Sequence, residues 1–120
     1  MSAKSQIITA AIMGFFAVGF GAFGAHSLKK LLSAENLEIY KTGVLYHLIH
    51  SAVLLAIGLN STYDFTTSFL FILAGIILFS FSLYAYSVTD IKAFAMITPV
   101  GGVSLLLGWL FIIIKVIRTN

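Results

Sequence analysis

Residues 65–88 read FTTSFLFILAGIILFSFSLYAYSV, without one Asp, Glu, Lys or Arg. A helix rises 1.5 Å per residue, so this run reaches about 36 Å, and a bilayer core about 30 Å thick needs roughly 20 apolar residues. The stretch is therefore long enough to cross a membrane. Working outward from it, three more uncharged apolar runs occupy residues 7–25, 44–59 and 94–114. The first and last of these meet the spanning length outright. The run at 44–59 falls a few residues short and needs its N-terminal flank. What remains is polar, short and scattered, too little to fold by itself. The expected fold is all-α: one domain over residues 1–120, an integral-membrane antiparallel four-helix bundle.

Composition agrees. Hydrophobic residues make up 60% of the chain and charged residues 9%, with a mean hydropathy of +1.07. Soluble domains carry about 25% charged residues, so water is not the main solvent. With no cysteine, disulfide, thiolate and iron–sulfur chemistry are excluded. The formal charge of +3 is spread over the ends of the apolar runs, with Lys29 and Lys30 after the first and Lys115 and Arg118 after the last. Such positions meet anionic headgroups, and a nucleic-acid partner is excluded. The N-terminal run exceeds the 7–15 residues of a secretory core, and cleavage after Ala25 would place the bulky Phe23 at −3. It is read as a span and not as a signal peptide. Basic residues divide evenly between the two ends, so the positive-inside rule leaves orientation open.

Along the first span Ala10, Gly14, Ala17, Gly21 and Gly24 recur at alternating spacings of four and three, which puts them on one face. Helices in lipid gain little by hiding leucines from one another and associate through close backbone approach, so this face is a packing stripe. Ile8, Ile12, Phe15, Phe16 and Phe20 are expected to face lipid. Between the first two spans, Leu28, Leu31 and Leu32 with Lys29 and Lys30 suit a short interfacial helix. Ser33 suits the cap of a helix running from about Ala34 into the second span, with Glu35 in its first turn. The segment 27–43 is thus interfacial or an extension of span two. Tyr84 and Tyr86 suit an aromatic belt at the end of the third span. In the fourth, Pro99 either begins the helix, capped by Thr98, or kinks one that starts near Phe94; the kink is favoured because it keeps residues 94–97 helical. Gly101, Ser104 and Gly108 share a face expected to meet the stripe of span one.

Three histidines are the candidates for chemistry: His26, His47 and His50. Polar groups at membrane depth are costly and face protein or water, and histidine changes charge near neutral pH. A metal centre needs further ligands at suitable spacing, which the sequence does not offer, so neither metal nor cofactor is expected. The four carboxylates lie outside the apolar runs, so proton-coupled export of the small multidrug-transporter kind would have to use the histidines. No nucleophile–base set, phosphate loop or carboxylate pair indicates an enzyme.

Four strings carry a resemblance: GAFGAHSL at residues 21–28, TGVLYHLIH at 42–50, LFSFSLY at 78–84 and TPVGGVSLLLGW at 98–109. In order and spacing they resemble the small bacterial inner-membrane proteins grouped as domain of unknown function 423, along nearly the whole chain. The resemblance implies a four-span, multi-pass plasma-membrane protein of a family without an assigned activity. It singles out Gly21, Gly24, His26, Thr42, Gly43, Tyr46, His50, Ser80, Ser82, Tyr84, Thr98, Pro99, Gly101, Gly102, Gly108 and Trp109. Phe81 replaces a glycine usual in that family, and His47 a frequent glutamine, so His26 and His50 are preferred over His47. Antiparallel spans bring the end of one and the start of two beside the end of three and the start of four. A polar cluster of His26, Tyr46, His50, Tyr84 and Thr98 is therefore expected just below one membrane face, with Gly14, Gly21, Gly24, Gly101 and Gly108 as packing positions. The reading is a non-enzymatic accessory protein that binds lipid or protein, or, as the alternative, a conduit for a small solute past His26 and His50. A lipid headgroup, a small solute, a protein partner and self-association are all compatible with it.

Overall fold

The computed structural model describes residues 1–119, and each apolar run in it is part of one long helix. Span one is Ala3–Leu28, span two Ala34–Leu59, span three Thr66–Thr89 and span four Lys92–Arg118. Local chemistry sets their ends. The Ser2 hydroxyl accepts the Ser5 N–H at 3.1 Å and the Ser33 hydroxyl that of Asn36 at 3.0 Å, each satisfying a donor that the helix start leaves orphaned. Starting at Ala34 gives span two 26 residues, about 39 Å, which makes up the shortfall of its apolar run.

Residues 29–33 form a turn and not the expected interfacial helix. The N–H groups of Leu31 and Leu32 both return to the Leu28 carbonyl at 3.0 Å, closing span one and leaving too few residues for a separate helix. Asn60 closes the second turn, accepting from the Thr62 N–H and donating to the Tyr63 carbonyl. At the third, Asp90 adopts a left-handed conformation (φ 56°), where Asn and Asp are tolerated best among side-chain-bearing residues. Asn36 donates to the Ser87 carbonyl at 3.1 Å and to Asp90 Oδ1 at 2.8 Å, tying the start of span two to the end of span three. Span four is helical from Lys92 and runs through Pro99, so the helix does not begin at the proline.

Each span packs on the next in sequence: one on two, two on three, three on four. Spans two and three are the most buried, and spans one and four flank them. The shared core joins Ala10 and Met13 to Leu54 and Ile57, to Phe69, Ile72 and Ile76, and to Leu105. The glycine face of span four meets span three and not span one. A Cβ on Gly101 would lie 2.6 Å from the Leu78 carbonyl carbon, one on Gly108 would run into Ile72, and one on Gly75 would lie 2.6 Å from Leu105. The Ser104 hydroxyl seals this contact by donating to the Phe71 carbonyl at 2.7 Å. The stripe of span one faces span two, where Gly21 leaves room for Val44 and a Cβ on Gly14 would lie 3.8 Å from Ser51 Cβ.

Gly101→Ala presses a methyl against backbone that cannot swing aside, and should destabilise the bundle by about 1–3 kcal/mol. Gly19→Ala, with no neighbouring atom within 4 Å of the new methyl, should stay within about 0.5 kcal/mol of wild type. Unfolding in mixed micelles, monitored by circular dichroism, measures both.

Candidate functional site

The expected polar cluster separates into distinct groups. His26 is exposed on the last turn of span one and meets none of the others.

The inner group lies where spans one, two and three meet. Between Phe20 and Gly24 span one widens into a π-helical turn, and the Ala25 N–H reaches five residues back to the Phe20 carbonyl. That carbonyl also accepts the Tyr40 hydroxyl at 2.7 Å. The hydroxyl passes directly over Gly24, and any side chain there would collide with it. Such π turns recur at functional sites. The Phe20 ring, expected to face lipid, turns partly inward on this widened turn and meets Tyr84 at a centroid distance of 5.2 Å. Tyr84 likewise leaves the expected belt. It stacks beside Tyr40 (5.1 Å), and its oxygen lies 2.9 Å from His47 Nδ1. Gly43 makes room for that ring, with Tyr84 Cε1 only 2.8 Å from where a Cβ would stand.

His47 is wholly buried. Its Nε2 has no hydrogen-bond partner among the described residues, and neither has the buried Ser80 hydroxyl. The histidine that sequence reasoning set aside is thus the central one, and Tyr40 was missed altogether. A weak signal existed: Tyr40, Gly43 and His47 recur at three and four, on one face with Tyr84's partner positions.

The outer group lines a groove between spans two and four that opens toward lipid. It encloses about 450 Å³, with Phe79 of span three at its floor and Pro99, Gly102 and Leu106 along its wall. His50 Nδ1 lies 2.8 Å from the Tyr46 carbonyl, and the Trp109 indole N–H donates to Nε2 at 3.1 Å. A carbonyl only accepts, so Nδ1 carries the proton and Nε2 is the acceptor. Both ring nitrogens are therefore satisfied only in the neutral tautomer. The Tyr46 ring packs on Phe79 with centroids 4.5 Å apart.

Depth departs from expectation. His50 lies nine residues before Leu59, and Trp109 nine before Arg118. Both are about 14 Å inside the helix ends next to the chain termini, well within the hydrocarbon and far from the first loop. Thr98 makes a third, separate contact: its hydroxyl meets that of Ser82 at 2.6 Å, and Ser82 in turn donates to the Phe79 carbonyl. Among the described residues no three His, Asp or Glu side chains are grouped as metal ligands.

Four long apolar helices, with Tyr40, His50, Ser82 and Ser104 hydrogen-bonded between them, define a small multi-pass integral membrane protein. Comparison with known proteins narrows this. The model of the "Protein of unknown function (DUF423)" family matches residues 20–102, and the chain belongs to that family. It is 39% identical to the UPF0382 membrane protein YwdK of Bacillus subtilis, an alignment covering 96% of this chain and 98% of that one. It is 37% identical to the UPF0382 inner membrane protein YgdD of Escherichia coli, covering 98% and 93%. It is 38% identical to a UPF0382 membrane protein of Staphylococcus epidermidis, covering 96% and 97%. No solved structure shows a significant match. The protein is accordingly a multi-pass protein of the bacterial plasma membrane.

Tyr40→Phe removes one hydrogen bond and should cost about 1 kcal/mol. Gly24→Ala evicts the same hydroxyl and should cost at least as much. The double variant should fall short of the sum, a coupling that a double-mutant unfolding cycle reads directly.

Proposed function

We propose that this protein is a non-enzymatic accessory protein of the plasma membrane that takes a lipid chain into the groove between spans two and four. The observation that carries this reading is the His50–Trp109 hydrogen bond. With Nδ1 on the Tyr46 carbonyl and Nε2 on the indole, the groove's histidine has no free valence to offer a polar solute. The surrounding wall of Phe79, Pro99, Val103 and Leu106 favours dispersion contact with an apolar chain. Gly102 contributes to the opening, because only the Phe79 ring approaches its missing Cβ, at 3.8 Å. The Tyr46 hydroxyl, which makes no hydrogen bond among the described residues, is left to mark an ester or hydroxyl along the chain.

The conduit reading keeps one supporting observation. His47 Nε2 and Ser80 Oγ are buried without partners, and hydration between spans one, two and three would satisfy both. Replacing His47 would then abolish solute flux into proteoliposomes, whereas under the lipid reading it leaves vesicles as tight as before.

Trp109 is the only tryptophan, so its emission reports the groove without labelling. Titrating delipidated protein in detergent with phosphatidylcholine brominated on its acyl chains should quench Trp109 saturably. Gly102→Leu should convert this into weak, linear quenching. Linear quenching in the wild type sinks the lipid-chain reading, and recovery of a stoichiometric membrane protein bound across the groove would replace it with a partner helix.

A further inference from the structure

A second cavity, of about 460 Å³, opens at the other edge of the bundle between the first turn of span three and the last turns of span four. Three features converge on it. Lys115 and Arg118 stand on its rim, and among the described residues neither forms an ion pair. The first turn of span three contributes backbone N–H groups that have no carbonyl four residues back within the helix, at the positive end of a 24-residue helix dipole. Ser68 in that turn is 1% exposed and lines the cavity, and its hydroxyl makes no hydrogen bond among the described residues. A hydroxyl at the edge of a cavity, with no acceptor in its own chain, gains when a ligand there accepts from it.

Asp64 also lines the cavity and opposes an anion. Its carboxylate is already engaged, accepting the Thr66 N–H at 3.0 Å and the Thr66 hydroxyl at 2.6 Å. Those bonds first, then Lys115 and the amino terminus, hold its carboxyl below the usual carboxylate range, so it stays charged at neutral pH. Two cations against one engaged carboxylate, plus the helix end, leave the cavity net positive. Toward the bilayer its lining changes to Phe65, Phe111 and Ile114.

We propose that this cavity binds the phosphate of an anionic phospholipid, with Lys115, Arg118 and the Ser68 hydroxyl as its ligands and the acyl chains lying against Phe111 and Ile114. The apolar lining, open to the bilayer, selects a lipid over free phosphate. The site extends the lipid-binding role proposed above but rests on different residues, on the opposite side of span four.

Native mass spectrometry of delipidated protein, titrated with phosphatidylglycerol or phosphatidylcholine of matched chains, tests it. One phosphatidylglycerol should bind about tenfold more tightly than phosphatidylcholine, and Lys115→Ala/Arg118→Ala should erase the preference. Ser68→Ala, a small change that keeps the charge, should weaken the adduct by roughly fivefold. Lys29→Ala/Lys30→Ala removes equal charge at the other end of the bundle and should leave the adduct intact, as should Gly102→Leu in the groove. Equal binding of both lipids overturns the proposal, as does an unaltered adduct in Ser68→Ala or an equal loss in Lys29→Ala/Lys30→Ala. Binding of inorganic phosphate without phosphatidylglycerol overturns the lipid assignment. Loss of the adduct in Gly102→Leu moves the lipid to the groove, whereas saturable Trp109 quenching without the adduct removes this site alone.

Discussion

Everything in this bundle depends on how closely spans three and four approach. Lipid tails are as apolar as leucine, so the hydrophobic effect that assembles soluble bundles gives these helices little reason to meet. Their association rests on dispersion, which falls away within an ångström of optimal contact. Gly75, Gly101 and Gly108 remove the side chains that would hold the backbones apart, and the Ser104 hydroxyl can then reach the Phe71 carbonyl. With span three fixed against span four, its opposite face is free to hold span two through Gly43 and Tyr84, and span two holds span one through Tyr40. The chain of contacts runs in sequence order, and spans one and four stay on the flanks.

That serial arrangement explains why the polar side chains divide. Between spans one, two and three, Tyr40, His47 and Tyr84 are enclosed, and the π turn at Phe20 gives up a carbonyl to one of them. Between spans two and four nothing closes the gap, so His50 and Trp109 satisfy each other at the base of an open groove. The two sites face different environments although His47 and His50 are a single helical turn apart. Residues three apart differ by only about 60° in facing, enough to turn His47 toward spans one and three and His50 toward span four.

The ends of the bundle follow separate rules. There the helix termini expose orphaned donors, which Ser2, Ser33 and Asp64 satisfy from within the chain. At span three one such turn also carries Ser68, which lines a cavity rimmed by cations. The polar chemistry of this small protein is thus divided between an enclosed site, a lateral groove and a headgroup-level cavity, each created by a different gap between neighbouring helices.

The sequence by itself determined the number of long apolar helices, the cap at Ser33 and the small-residue faces of Gly21, Gly24, Gly101 and Gly108. These follow from hydropathy, helix rise and periodicity, which are properties of one segment at a time. Which glycine face meets which helix was decided only in three dimensions. The stripes of spans one and four look equally suited to each other, but short turns place each beside its sequence neighbour first. The same holds for the site. That His26, Tyr46, His50, Tyr84 and Thr98 carry polarity was legible; that they form separate contacts, and that Tyr40 and Trp109 complete two of them, was not. A hydrogen bond depends on rotation about two helix axes and on depth along them, and neither is written in a single apolar run.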